Sequence, residues 1–206
     1  MKSLPPFITL WNSFEACSTP WKNGGGKTKE IAIFPSASSV AENNFLWRLS
    51  EAEIQQDGEF SSFPGFDRLL SLMEGARLEL QHGPHRSSLA TGDIASFSGD
   101  DLTKASLPAG PVHDVGLIFR RGLVQAKMKE IPFLGKARSF SLTAKTNFFI
   151  AAAGRFQLSI YPSEWNLKLE EQDAVRIDRD SNPGERLILI EPKEKLSRLI
   201  AVELNY

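Results

Sequence analysis

The sequence predicts an all-β chain built as two fused small barrels. Three observations carry this: a period-two alternation of apolar and polar residues, turn signals at short intervals, and a faint internal repeat. A strand projects successive side chains to opposite faces, so alternation marks a strand with one buried face. Phe45, Trp47 and Leu49 alternate with Leu46, Arg48 and Ser50; Val124, Ala126 and Met128 alternate with Gln125, Lys127 and Lys129. Further strands are expected at Ile31–Phe34, Leu69–Met73, Arg77–Leu80, Leu117–Arg120, Phe148–Ala152, Arg155–Ile160, Ala174–Ile177, Arg186–Ile190 and Leu199–Leu204. Turn residues punctuate them at Glu74-Gly75, Gly83-Pro84, Gly92-Asp93 and Ser181-Asn182-Pro183-Gly184. The sole helix candidate is a weak one near Ser13–Cys17.

The repeat gives the domain organisation. Gly75-Ala76-Arg77-Leu78-Glu79-Leu80 precedes Leu89-Ala90-Thr91-Gly92-Asp93-Ile94, and Gly154-Arg155-Phe156-Gln157-Leu158-Ser159 precedes Leu169-Glu170-Glu171-Gln172-Asp173-Ala174. Each copy reads as strand, loop, then a tight turn into a strand. Duplicated barrels follow, with a boundary near Arg121-Gly122: an N-terminal barrel over 1–121 and a C-terminal barrel over 122–206.

The 206 residues are 41% apolar and 24% charged with a net charge of -1, so nothing in the balance favours nucleic acid or an anionic membrane. Cys17 is the one cysteine, which suits a reducing cytosol and reads as a small buried or half-buried side chain. MKSLPPFITLW does not read as a signal peptide, since Pro5 and Pro6 interrupt its apolar stretch. There is no apolar run of about 18 residues, the length of a membrane helix. A cytoplasmic location is the expectation.

Gly24-Gly25-Gly26-Lys27-Thr28 ends like a phosphate-binding loop. That loop needs a glycine where Trp21 stands, and a helix after it, whereas Glu30-Ile31-Ala32-Ile33-Phe34 reads as a strand. A nucleotide is therefore not expected. Three successive glycines instead let the backbone approach something closely. With Trp21, Lys22, Asn23, Thr28 and Glu30 around them, they read as a pocket wall.

No metal or other cofactor is expected. His82-Gly83-Pro84-His85 is the nearest approach to a ligand pair, no carboxylate follows it within residues 86–90, and both histidines read as solvated loop residues. Glu30, Asp57, Asp67 and Asp114 are the candidate acids or bases. His113 and Asp114, adjacent on a strand, would face opposite ways. If Trp47 packs outward, Arg48 and Ser50 face a barrel interior, where an arginine needs an anionic partner. Phe60, Phe63 and Phe66 lie in one loop-like stretch and must be covered, by packing, at a pocket mouth or in a dimer contact.

At these residues the chain resembles the HutD/Ves family. The matching words are Pro20-Trp21-Lys22-Asn23-Gly24-Gly25-Gly26, Thr28, Glu30-Ile31-Ala32, Trp47-Arg48 with Ser50 and Ala52, Asp57-Gly58, Phe60-Ser61, Phe63-Pro64-Gly65, Asp67-Arg68, Gly110-Pro111, Asp114 and Arg120-Arg121. They cover residues 18 to 121 strongly and the remainder diffusely. The resemblance implies a cupin-type double-stranded β-helix in two copies (a metal-free bicupin), often a homodimer. It also implies a tie to histidine utilisation or stress response, with an intermediate such as formylglutamate as a ligand. One departure stands out: Gly116 occupies a position where the family tends to carry Asn.

The expected function is metal-independent binding of a small anionic metabolite. The expected site is Trp21, Lys22, Asn23, Gly25, Thr28, Glu30, Arg48, Ser50, Arg68 and Asp114. In it Lys22, Arg48 and Arg68 supply charge, and Asn23, Thr28 and the Gly24–Gly26 amides supply hydrogen bonds. The alternative is a metal-independent isomerase or hydrolase using Glu30 or Asp114. A third reading is an interaction module docking through Phe60–Phe66.

Overall fold

The structure, a computed structural model, describes residues 4–162, 165–179 and 186–206; the expected turn at Ser181–Gly184 lies outside them. In chain order the strands are β1 Ile8–Trp11, β2 Ser18–Pro20, β3 Gly26–Phe34, β4 Trp47–Ile54, β5 Gly58–Glu59, β6 Phe66–Glu74, β7 Leu78–His82, β8 His85–Leu89 and β9 Ile94–Ser98. There follow β10 Thr103–Ser106, β11 Val112–Arg120, β12 Gln125–Phe133, β13 Arg138–Leu142, β14 Thr146–Ala153, β15 Phe156–Tyr161, β16 Trp165–Leu169, β17 Ala174–Asp178, β18 Arg186–Pro192 and β19 Ser197–Asn205. Among the described residues there is no helix. Ser13–Cys17 is a turn region, and Cys17 is exposed, against the expectation of burial. Every strand read from alternation overlaps an observed one. Of the strands not foreseen, β2, β5, β8 and β10 are short and largely polar, whereas β13 and β16 do alternate, at Phe140 and Leu142 and at Trp165, Leu167 and Leu169, over only five residues each.

The chain divides into two compact units, Ala16–Val124 and Met1–Glu15 with Gln125–Tyr206. The first holds a six-stranded sheet, β2-β3-β4-β11-β6-β9, and a four-stranded sheet, β5-β10-β7-β8. The second holds a five-stranded sheet, β1-β17-β14-β19-β12, and a four-stranded sheet, β13-β18-β15-β16. The orders repeat: β4-β11-β6-β9 is matched by β12-β19-β14-β17, and β5-β10-β7-β8 by β13-β18-β15-β16. Ladders are antiparallel throughout, and in each unit the inner sheet faces enclose the core. This is the cupin-type double-stranded β-helix.

The repeated words identify the same turn in both units. Ala90 N–H donates to the Asp93 carboxylate at 2.9 Å and Asp93 N–H donates back to Ala90 O at 2.9 Å. Glu170 N–H and Asp173 do the same at 3.3 and 3.1 Å. The residue before each aspartate takes the left-handed conformation, Gly92 at φ 96° and Gln172 at φ 69°. A side chain capable of satisfying its own turn is why Asp recurs there.

The first 15 residues depart from the expected boundary. β1 pairs with β17, Ile8 opposite Ile177, and Ile8 is buried in the core of the C-terminal unit. The N-terminal segment therefore completes the C-terminal barrel as an edge strand. Pairing with a strand about 170 positions away leaves no local trace in sequence.

Candidate functional site

Three adjacent strands of the first unit make the floor of a cavity of about 830 Å3. Alternation decides which side chains enter it. On β4, Trp47, Leu49 and Glu51 take one face, so Arg48, Ser50 and Ala52 take the other and line the cavity. The register stacks the floor in rows: Ala52–Asp114–Leu72, then Ser50–Gly116–Leu70, then Arg48–Ile118–Arg68. The inner end is apolar, with Ile54, Leu72 and Val112 in the core. The outer end carries two guanidinium groups.

One wall is the hairpin of β2 and β3. Its turn is closed by Gly24 N–H to Trp21 O at 3.0 Å and Trp21 N–H to Gly26 O at 2.9 Å. Gly24 sits at φ 70°, and a Cβ at Gly26 would collide with the Glu53 carbonyl oxygen. The indole N–H of Trp21 donates to Thr28 Oγ1 at 2.7 Å, and its ring meets Phe60 edge-on at 6.2 Å. Trp21, Lys22, Asn23 and Thr28 line the cavity. Gly25 does not. Its N–H is spent on Asn23 Oδ1 at 3.0 Å and its carbonyl accepts from Gln55 N–H at 2.9 Å. The Gly24 and Gly25 amides thus shape the wall, and the expectation that they serve a ligand is corrected.

Glu30 also stands outside the lining. It accepts from Arg48 Nε at 2.8 Å, so it neutralises that guanidinium at the cavity edge. Asp57 and Asp67 are committed elsewhere: Asp57 accepts from Leu107 N–H at 2.7 Å, and Asp67 pairs with Arg121 at 2.8 Å. Of the candidate carboxylates, Asp114 alone faces the cavity.

Arg68 has a different setting from Arg48. It makes no ion pair among the described residues and donates only to Ser61 O at 3.3 Å. Its guanidinium lies 5.0, 5.8 and 5.1 Å from the ring centres of Phe60, Phe63 and Phe97. Burial lowers its pKa to about 10, against the pull of Asp114 and with the repulsion of Arg48. It remains a cation at neutral pH, held by aromatic faces rather than by a carboxylate. The aromatic stretch is thereby accounted for. Phe66 is fully buried against Phe45 at 4.7 Å, while Phe60 and Phe63 cover Arg68.

Asp114 is buried, and desolvation raises its pKa to about 7, although His113 and Arg68 pull it down. Its neighbour His113 points to the opposite sheet face, as strand geometry requires, and lies 3.5 Å from the buried Glu51 carboxylate. Burial lowers the His113 pKa, but Glu51, Asp114 and Glu74 outweigh it, so the net shift is upward. Sequence reasoning missed Glu51, whose place beside His113 depends on the β4–β11 register. The pocket-mouth alternative for the aromatic stretch holds for Phe60 and Phe63, which line the cavity; what sequence reading did not supply is their shared partner, Arg68.

Among the described residues no three His, Cys, Asp or Glu side chains gather where they could hold a metal ion. The histidine reading needs one correction. His82 is buried at the end of β7, stacked 5.3 Å from Phe97 and hydrogen-bonded to Ser87 at 3.0 Å, whereas His85 is exposed.

A family model described as HutD matches residues 14–196. A Pseudomonas putida protein named as an uncharacterised 21.2 kDa protein in the hutC 3' region is 33% identical over 161 residues, covering 77% of this chain and 80% of that one. Protein Ves of Citrobacter koseri is 37% identical over 111 residues, covering 53% of this chain and only 56% of its own length. Among solved structures, a conserved protein of unknown function from Pseudomonas aeruginosa PAO1 superposes with a TM-score of 0.86 at 25% identity, over 97% of this chain and 99% of that one. HutD from Pseudomonas fluorescens SBW25, in a formate condition, gives 0.78 at 29% identity, over 96% and 98%.

Proposed function

The chain belongs to the HutD family, and from that premise we propose that its first barrel is a metal-independent receptor for a small carboxylate metabolite. The observation that carries the reading is Arg68: a cation on a cavity floor, caged by three phenylalanine rings, with no carboxylate partner among the described residues. Leaving a charge desolvated and unpaired costs free energy, and a ligand carboxylate would remove that cost. Arg48 contributes a second, partly neutralised cation, and Lys22 lines the same cavity. Asn23, Thr28 and Ser50 offer hydrogen bonds, and the Trp21 and Phe60 rings offer an apolar wall. An Asp114 that is half protonated near pH 7 accepts or donates a hydrogen bond according to what the ligand presents.

Titration calorimetry with formylglutamate, urocanate and glutamate tests the reading. Saturable heat is expected from at least one, and affinity at least about tenfold weaker in Arg68→Gln with the fold intact by circular dichroism. No binding to any of the three at millimolar concentration overturns it. Asp114 supports a second reading, a metal-independent isomerase or hydrolase, because a carboxyl group titrating near neutrality is suited to move a proton. Turnover of a bound ligand, abolished in Asp114→Asn while binding persists, would favour that reading. In both, the family's ties to histidine utilisation and stress response supply the context, with a cytoplasmic homodimer as the expected form.

A further inference from the structure

The C-terminal unit has a cavity of its own, about 440 Å3, at one end of its barrel. Asn147 on β14 and Glu203 on β19 stand directly opposite each other in the ladder. Opposed side chains on one sheet face lie about 5 Å apart at Cβ. The Asn147 side-chain nitrogen donates to Ala144 O at 3.0 Å and to Ile177 O at 3.5 Å, which turns its amide oxygen the other way. Among the described residues nothing donates to that oxygen, and no cation lies within ion-pair distance of the half-buried Glu203, although Lys127 stands opposite it on β12. Asn147 itself is only 3% exposed. Two adjacent acceptors without donors make a seat for a cationic donor.

The same cavity has a cationic side. Lys129 on β12 lies opposite Ala201, two residues from Glu203, and has no acidic partner among the described residues. Arg138 rests its guanidinium 5.5 Å from the Phe140 ring and makes no ion pair among the described residues. The Phe140 and Phe149 rings, 6.2 Å apart, form an apolar wall to the same space. We infer that this second cavity binds a free α-amino acid with an apolar side chain, its ammonium on Asn147 and Glu203, its carboxylate on Lys129 and Arg138, and its side chain against Phe140 and Phe149. The diagonal spacing of Lys129 and Glu203 suits two opposite charges on one carbon. The site lies wholly in the C-terminal unit, so it stands or falls apart from the carboxylate receptor of the first barrel.

The test is a two-dimensional amide NMR titration of the full chain with L-leucine, alongside N-acetyl-L-leucine, which lacks the ammonium, and L-leucinamide, which lacks the carboxylate. Saturable shifts are expected at the Asn147 side-chain amide and around Glu203 with L-leucine alone. Glu203→Gln and Lys129→Gln should each weaken them by about tenfold or more, and Arg68→Gln should leave them unchanged. The proposal is overturned if L-leucine gives no saturable shift there at tens of millimolar. It is overturned equally if either blocked analogue binds as tightly, or if both cavity variants fold and titrate like the parent.

Discussion

Arg68 and Asp114 lie on neighbouring strands, two rows apart on one floor, and their charges are set by the same enclosure. Arg68 should dominate affinity: Arg68→Gln is expected to weaken carboxylate binding by about ten- to a hundredfold by calorimetry, and Arg68→Lys to recover only part, since an ammonium lacks the planar fork. Asp114 sets the pH dependence. Above about pH 7 it is a second anion beside the ligand; below that it is neutral. Affinity should therefore rise about three- to tenfold from pH 8 to pH 6, and Asp114→Asn should flatten the profile. Stability moves the same way. The folded pKa lies above the ordinary 3.8, so the stabilisation from Asp114 is full below about pH 4, is lost as pH rises from there to about 7, and is constant above. The loss is at most about 4 kcal/mol, read by urea denaturation across that range and reduced in Asp114→Asn. Gly116 sets the depth of the floor, because a Cβ there meets only Asp114 Oδ1, at 3.7 Å. Gly116→Asn should fold normally and change ligand preference in the same calorimetric panel.

At the scale of elements, the β2–β3 hairpin is the part whose chemistry sequence reading took most directly for a ligand site. Half of it is structural. Gly24 and Gly26 exist for the turn and for close approach to β4, and Gly25 for bonds to Asn23 and Gln55. Gly26→Ala should cost about 1–3 kcal/mol by overpacking against the Glu53 carbonyl, seen as a lower urea midpoint. Trp21, Lys22, Asn23 and Thr28 do reach the cavity. Alternation on β4 placed Arg48 and Ser50 inward from sequence alone, given Trp47 outward. The same argument applied to β11 separated His113 from Asp114. What alternation left open is pairing: that Glu30 neutralises Arg48, or that Asp67 answers Arg121 rather than Arg68, depends on which strands become neighbours.

For the whole molecule, duplication is written into both topology and turn chemistry, yet the two copies hold different side chains at the barrel end. The first presents Arg48 and Arg68 on the outer row, and the second presents Lys127, Glu203 and Asn147 in one row with Lys129 in the next. The strand β1 adds an element without a counterpart beside β9. It closes the edge of β17 and buries Ile8, which is 4% exposed. Ile8→Ala should cost about 2–4 kcal/mol, and hydrogen exchange should quicken first in β17.

The sequence by itself determined the strand-rich architecture, the repeat and the family, because alternation, turn-forming aspartates and glycines, and ordered motif words are local properties. Eight of the ten site residues it named line the first cavity, Arg48 and Ser50 among them by strand parity once Trp47 is placed outward. Only the tertiary structure decided which of those residues are free to act. Register set Glu30 on Arg48, left Arg68 among phenylalanine rings, buried Asp114 beside it, and sent the first strand to the other unit. Each of these is a long-range pairing, and burial and charge depend on neighbours that the local pattern does not specify.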